Sequence, residues 1–466
     1  MGLLATCAVK QAFDHPDTTA SVRIPSSTTT GPSSRFSDRS RSGGEDGGSP
    51  LHPSVHSIGS QGSDPELSQL NRINSSGVHN SIRNVSQEMT NALDERDLWP
   101  TTLVPGGVDA EGREFQTTRA LAGRGACHEL PAYDPGALGA LFEWEWDALA
   151  AEEASGGHSL YLVSRAVIEE LGLTKPLGIR EPELWKYLAH VEAAMPDNPY
   201  HNQAHVADVV HSMAYILTEG GLIDRMELTP LEIFAAIFAA TVHDFCHTGV
   251  TNDFLVRTDD PLAVLFADSS VNERLHVAKA FQLLAEEECG VCGAHLHFHE
   301  DWEVGTYVEF RKLVLKLVLA TDMAEHFAFV SKVKTKLHPG AAAFDPADER
   351  DKVLMLQLAL KSADISHPTK TWAIAQGFTD NFVEECYAQG DLEEEYGMKV
   401  SPPNDRRTLD VGQSQVGFID ALVAPLYELL IEALPKMAPA GAGLTAARAR
   451  WSRNATAPRP HDSARV

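Results

Sequence analysis

The run Phe234-Ala235-Ala236-Ile237-Phe238-Ala239-Ala240-Thr241-Val242 leads straight into His243-Asp244-Phe245-Cys246-His247-Thr248-Gly249-Val250-Thr251-Asn252. The first part is apolar all round and reads as a buried helix. The second part sets histidines and a carboxylate at the end of that helix, where they must find partners, and a metal ion is the strongest single partner. A second stretch, Tyr200-His201-Asn202-Gln203-Ala204-His205-Val206-Ala207-Asp208, carries His201 and His205 four residues apart. Read as helix, it sets both on one face with Asp208, and His243 and His247 repeat the spacing. Asp364 adds a carboxylate at the end of a third helical segment. A lone His-x3-His pair is commonly incidental. Two pairs together with an adjacent His-Asp form a metal-binding pattern.

His205, His243, Asp244 and Asp364 would offer two imidazole nitrogens and two carboxylates without a thiolate, a set suited to a borderline or hard divalent cation. Such a set leaves coordination positions for water, the mark of a catalytic rather than a closed site. The second oxygen of Asp244 can bridge to another cation, and two metals side by side suit an in-line phosphoryl displacement. The residues alone therefore point to a metal-dependent hydrolase acting on a phosphate ester.

Four motifs extend this reading: Tyr200-His201-Asn202 with His205 and Asp208; His243-Asp244 with His247-x-Gly249 and Asn252; Ala363-Asp364-Ile365-Ser366; and Gln413-Ser414-Gln415-Val416-Gly417-Phe418. Their order and spacing from about Trp144 to about Leu434 resemble the catalytic domain of class I 3′,5′-cyclic nucleotide phosphodiesterases. The resemblance implies a compact all-α bundle of about sixteen helices. It implies that His205, His243, Asp244 and Asp364 hold zinc, and that Asp244 bridges to magnesium or manganese. His247, Glu273 and Thr321 would hold metal-bound waters, and His201 would be the general acid. Tyr200, Asn252, His367, Phe382, Gln415 and Phe418 would form the substrate pocket, with Phe418 and Phe382 as its flat walls and the Gln415 amide reading adenine or guanine. The product would be a nucleoside 5′-monophosphate, which ends a cyclic AMP or cyclic GMP signal. Ser366-His367-Pro368 and Thr248-Gly249-x-Thr251-Asn252 are similar to the calmodulin-dependent, dual-specificity branch. Glu273-Arg274-Leu275-His276 departs from the family's Glu-Asn-His-His at Leu275. Other helical His…His-Asp…Asp hydrolases need neither the base clamp nor His201. A catalytically dead sensor would not need all four ligands intact.

The formal net charge of −27 opposes nucleic acid or anionic lipid as a main partner, and leaves an anionic substrate dependent on local attraction from metals. Six cysteines over 466 residues make no disulfide framework and fit a reducing cytoplasm. No run of about 20 apolar residues is present to span a bilayer. Met1-Gly2-Leu3-Leu4-Ala5-Thr6 fits N-myristoylation at Gly2, with Cys7 available for a second chain, so peripheral membrane tethering is an expectation. Residues 1–95, rich in Ser, Gly, Thr and Asn, read as a disordered tail, and 96–140 as a linker or strap. Residues 141–434 read as the catalytic domain and 435–466 as a frayed tail. Cys289 and Cys292 resemble half of a metal knuckle, and an incomplete one is weak as a site.

Overall fold

The computed structural model describes residues 130–139, 141–285, 296–340 and 343–455. Among them every regular element is helical. In chain order the α-helices are α1 Ala148–Ala154, α2 Ser159–Glu170, α3 Glu181–Ala193, α4 Gln203–Leu217, α5 Leu222–Met226, α6 Pro230–Val242, α7 Asn252–Arg257 and α8 Pro261–Leu265. There follow α9 Val271–Ala285, α10 Val304–Val318, α11 His326–Leu337, α12 Glu349–Asp364, α13 Trp372–Glu395, α14 Val411–Phe418, α15 Ala424–Ala433 and α16 Ala438–Ala455. Among the described residues no helix is long and apolar enough to cross a membrane.

Helix α6 is the axis of the core. A capping box starts it: the Thr229 hydroxyl accepts from the Glu232 N–H, and the Glu232 carboxylate accepts from the Thr229 N–H at 2.7 Å. Ile233 to Val242 are all buried, as an all-apolar helix requires. It packs on α4 and α10, and Phe234 and Phe238 meet Phe298 and Phe310 with ring centroids 5.1–6.0 Å apart. Each such ring removes a large apolar area from water, so this cluster fixes where α6 ends. That end carries His243. Helix α4 lies against α2, α6 and α12, and α12 finishes on Asp364.

The helical-face reading of the two histidine pairs fails in detail. The Asn202 side chain accepts from the N–H groups of Ala204 and His205, so α4 begins after it and His201 lies outside the helix. Likewise α6 ends at Val242 and Cys246 takes a left-handed backbone (φ 62°), so His247 follows a turn. Asp208, expected on that face, turns instead to Lys370 and Ser366.

The C-terminal expectation is corrected. Residues 438–455 form α16, which buries Ala440, Leu444, Ala447 and Trp451. Its apolar face is mostly alanine, too weak a periodic signal to read, and its contacts are close because its residues are small. A Cβ at Gly443 would stand 1.9 Å from the Thr369 carbonyl oxygen. At the other end, the 3-10 turn Pro135–Leu138 packs on α2, and Trp146 Nε1 donates to the Leu138 carbonyl at 2.6 Å, so packed structure begins before residue 141. The tail at 1–95, Gly2, Cys7, residues 96–129, Cys289, Cys292 and residues 456–466 lie outside the described residues.

Candidate metal centre and active site

His205 on α4, His243 and Asp244 after α6, and Asp364 at the end of α12 converge, all four buried. His205 Nε2 is 3.3 Å from both Asp244 Oδ2 and Asp364 Oδ1; His243 Nε2 is 3.2 and 3.4 Å from the same atoms. These are ion-pair distances, yet His205 Nε2, His243 Nε2 and Asp244 Oδ2 have no hydrogen-bond partner, because the contacts are not aligned for one. Orphaned buried polar atoms are costly. Donors bound about 2.0–2.2 Å from one cation stand about 3–3.5 Å apart, so the spacing and the unpaired atoms fit a metal. The His243 Nδ1–H donates to the Ala240 carbonyl at 2.8 Å, which turns Nε2 toward the centre.

The electrostatics agree. Burial pulls His205 down, but the carboxylates of Asp244 and Asp364 outweigh it and hold it up at about 9. Burial pushes Asp244 and Asp364 up, yet the neighbouring imidazoles overcome this and hold both well below the usual carboxylate range. The cluster is built around positive charge.

A cavity of about 410 Å³ opens on this centre, lined by His201, Asp244, His247, Glu273, Thr321, Asp364 and Phe382 among others. His201 Nδ1 makes a short hydrogen bond to Glu385 Oε1, while Glu385 Oε2 accepts the backbone N–H groups of Tyr200 and His201 at 2.9 and 3.0 Å. Glu385 is buried, and although burial opposes it, His201 holds its pKa low. His201 stacks on His247 with ring centroids 3.8 Å apart and 16° between planes. Glu273 accepts from Asn252 Nδ2 at 2.9 Å, and burial together with Asp322 raises its pKa to about 7. The Thr321 hydroxyl donates to the Val318 carbonyl, so its lone pairs remain to accept.

The expected base pocket lies along α13 and α14. Tyr200 stands 5.3 Å from Phe382 and 6.0 Å from His367, and His367 lies parallel to Phe418 at 6.3 Å. Gln415 is buried against Thr379, its amide 3.5 Å from the hydroxyl. A π-helical turn, Ile419–Val423, follows Phe418 directly, a distortion often found beside functional residues. Asn252 is placed apart from this group, against Glu273. His367 is kept neutral by burial, its pKa pulled down to about 3.

Two residues escaped the sequence reading. Glu385 sits three residues beyond Phe382 on one helix face, which was the available signal. His276 donates from Nδ1 to the Phe245 carbonyl at 2.7 Å and brings Nε2 to 3.6 Å from Asp244 Oδ1. The departure at Leu275 leaves that contact in place, because Leu275 is buried elsewhere and does not line the cavity.

A family model described as 3′5′-cyclic nucleotide phosphodiesterase matches residues 200–443. The mouse dual specificity calcium/calmodulin-dependent 3′,5′-cyclic nucleotide phosphodiesterase 1C is 37% identical over 311 residues, 66% of this chain and 42% of that protein. The probable 3′,5′-cyclic-AMP phosphodiesterase pde-4 of Caenorhabditis elegans is 37% identical over 292 residues, 62% of this chain and 42% of that protein. The matched region thus spans less than half the length of these relatives. Among solved structures, LmjPDEB1 in complex with IBMX aligns with a TM-score of 0.61 at 25% identity, covering 72% of this chain and 96% of that one. With the family match extending over more than half of its residues, the chain belongs to the 3′5′-cyclic nucleotide phosphodiesterase family.

Proposed function

We propose that this chain hydrolyses 3′,5′-cyclic nucleotides, cyclic AMP, cyclic GMP or both, to nucleoside 5′-monophosphates with the help of divalent metals. The observation that carries this reading is four buried donors facing one point beside a histidine anchored by a buried carboxylate. His205, His243, Asp244 and Asp364 would hold one metal, zinc by the nitrogen and oxygen donor set. Asp244, with a second oxygen near His276, would reach toward another, magnesium or manganese. Bound there, divalent cations lower the pKa of water and polarise phosphoryl oxygens.

The chain's own residues do the rest. His201 delivers a proton from Nε2 to the 3′ oxygen as the P–O3′ bond breaks and the water oxygen takes its place on phosphorus. Glu385 holds His201 Nδ1–H and fixes the ring's direction, leaving Nε2 to face the substrate. His247, Glu273 and Thr321 offer groups that can hold water, and Asn252 orients Glu273. Phe418 and Phe382 supply flat faces for the purine, and Gln415 reads the base edge.

Steady-state hydrolysis of cyclic AMP and cyclic GMP, with magnesium and with a chelator control, tests the proposal. Metal-dependent release of the 5′-monophosphate is expected. No turnover of either nucleotide by folded, metal-loaded protein would overturn it.

A further inference from the structure

We infer that Asn198 is a positioning residue for His201: its side-chain amide ties together the two segments that carry the stacked histidines and so sets the stack. The inference deepens the reading above and rests on His201 being the proton donor. Asn198 Nδ2 donates to the His201 carbonyl at 3.1 Å and to the His247 carbonyl at 3.0 Å. An amide nitrogen carries two hydrogens, so both are committed, one to each segment.

The other face of the amide is also engaged. Gly249 has φ +74°, and a Cβ there would stand 2.9 Å from Asn198 Oδ1. The backbone after His247 therefore closes onto Asn198, and Gly249 in turn donates its N–H to His247 Nδ1 at 3.0 Å. His201 is held at its own Nδ1 by Glu385. Each ring is thus anchored by its own partner, while Asn198 joins the backbones that carry them. The tie thus sets how the His201 and His247 rings meet, and through the His247 ring it holds the direction of His201. A displacement of about 1 Å at a reacting group can cost up to about 100-fold in rate.

The test is a double-mutant cycle on the full chain, comparing wild type, Asn198→Ala, His247→Ala and the double variant. kcat, KM, bound metal and the imidazole proton resonances of His201 and His247 are read in each. N198A should lower kcat about 10-fold or more, with KM and metal content unchanged. In the His247→Ala background the same substitution should cost less than twofold. The ring-current shift that the 3.8 Å stack imposes on His201 should be lost in N198A. Asn198→Leu keeps the branched shape and removes the donors without adding a charge, so it serves if the alanine variant does not fold. An N198A enzyme within twofold of an active wild type, an equal loss without His247, or parallel loss of metal would each overturn the inference. If wild type itself fails to turn over, the functional reading falls, and the imidazole resonances still decide: unchanged in N198A, they sink the tie; altered, they support it.

Discussion

At His205, His243, Asp244 and Asp364 the fold brings each imidazole to within 3.2–3.4 Å of two carboxylates and leaves His205 Nε2, His243 Nε2 and Asp244 Oδ2 without hydrogen bonds. Around Phe382, Tyr200, His367 and Phe418 it packs flat rings about 5–6 Å apart. The first cluster, the donor end, depends on which atoms are present. The second depends on how closely whole helices approach. A point change at the donor end should therefore remove a function outright, whereas one at the ring end should loosen it.

The sharpest way to break that contrast is Asp364→Ala. Removing one of four converging donors should abolish measurable turnover and strip bound metal, read by elemental analysis beside the rate. Retained metal and activity would show that the cluster is not the centre. Glu385→Gln comes next. It keeps the shape but weakens the charged hold on His201, and kcat should fall on the order of 10- to 100-fold with metal content unchanged. A rate within twofold of wild type would leave Glu385 only the work of capping the Tyr200 and His201 backbone.

The same contrast explains what the sequence disclosed. His243-Asp244, His205 and Asp364 were legible because the chemistry is in the residue type, and a motif names its own ligands. Helix α6 was legible because ten consecutive buried residues leave a strong pattern, and the apolar run ends at Val242 as the helix does. The helical-face argument for His201 and His247 reached the right cluster by the wrong geometry: caps and a left-handed residue end the helices first. The roles of Glu385 and Asn198 left little trace, for Glu385 only its place three residues beyond Phe382, since each works through a contact with residues distant in sequence or on another segment. Helix α16 was missed because alanine and glycine carry almost no hydrophobic period, although their smallness is what brings α16 onto the His367 turn.

Gly443→Ala tests the ring end. The added methyl would meet the Thr369 backbone at 1.9 Å, and backbone cannot step aside as a flexible side chain can. Overpacking of this kind costs about 1–3 kcal/mol, so the melting temperature should fall. The turn from His367 to Thr369 would move with it, and KM for the cyclic nucleotide should rise more than kcat falls, with metal content unchanged. An effect on metal instead would erase the distinction between the two ends.

The smallest effect concerns pH. Burial, with His205 and Lys370 adding to it, lowers the His367 pKa to about 3 against an ordinary value of 6.5. Between those values the unfolded chain binds a proton that the folded chain refuses, so stability rises with pH across the window and is lost as pH falls through it. At pH 5 the cost is about 2 kcal/mol, and near pH 7.5 it is close to zero. His367→Asn removes the titrating group. Denaturant unfolding at both pH values should show wild type losing about 2 kcal/mol more than the variant on acidification. Equal losses would mean that His367 reaches solvent or a partner when charged, and that the ring end is less tightly closed than the stacking of His367 on Phe418 implies.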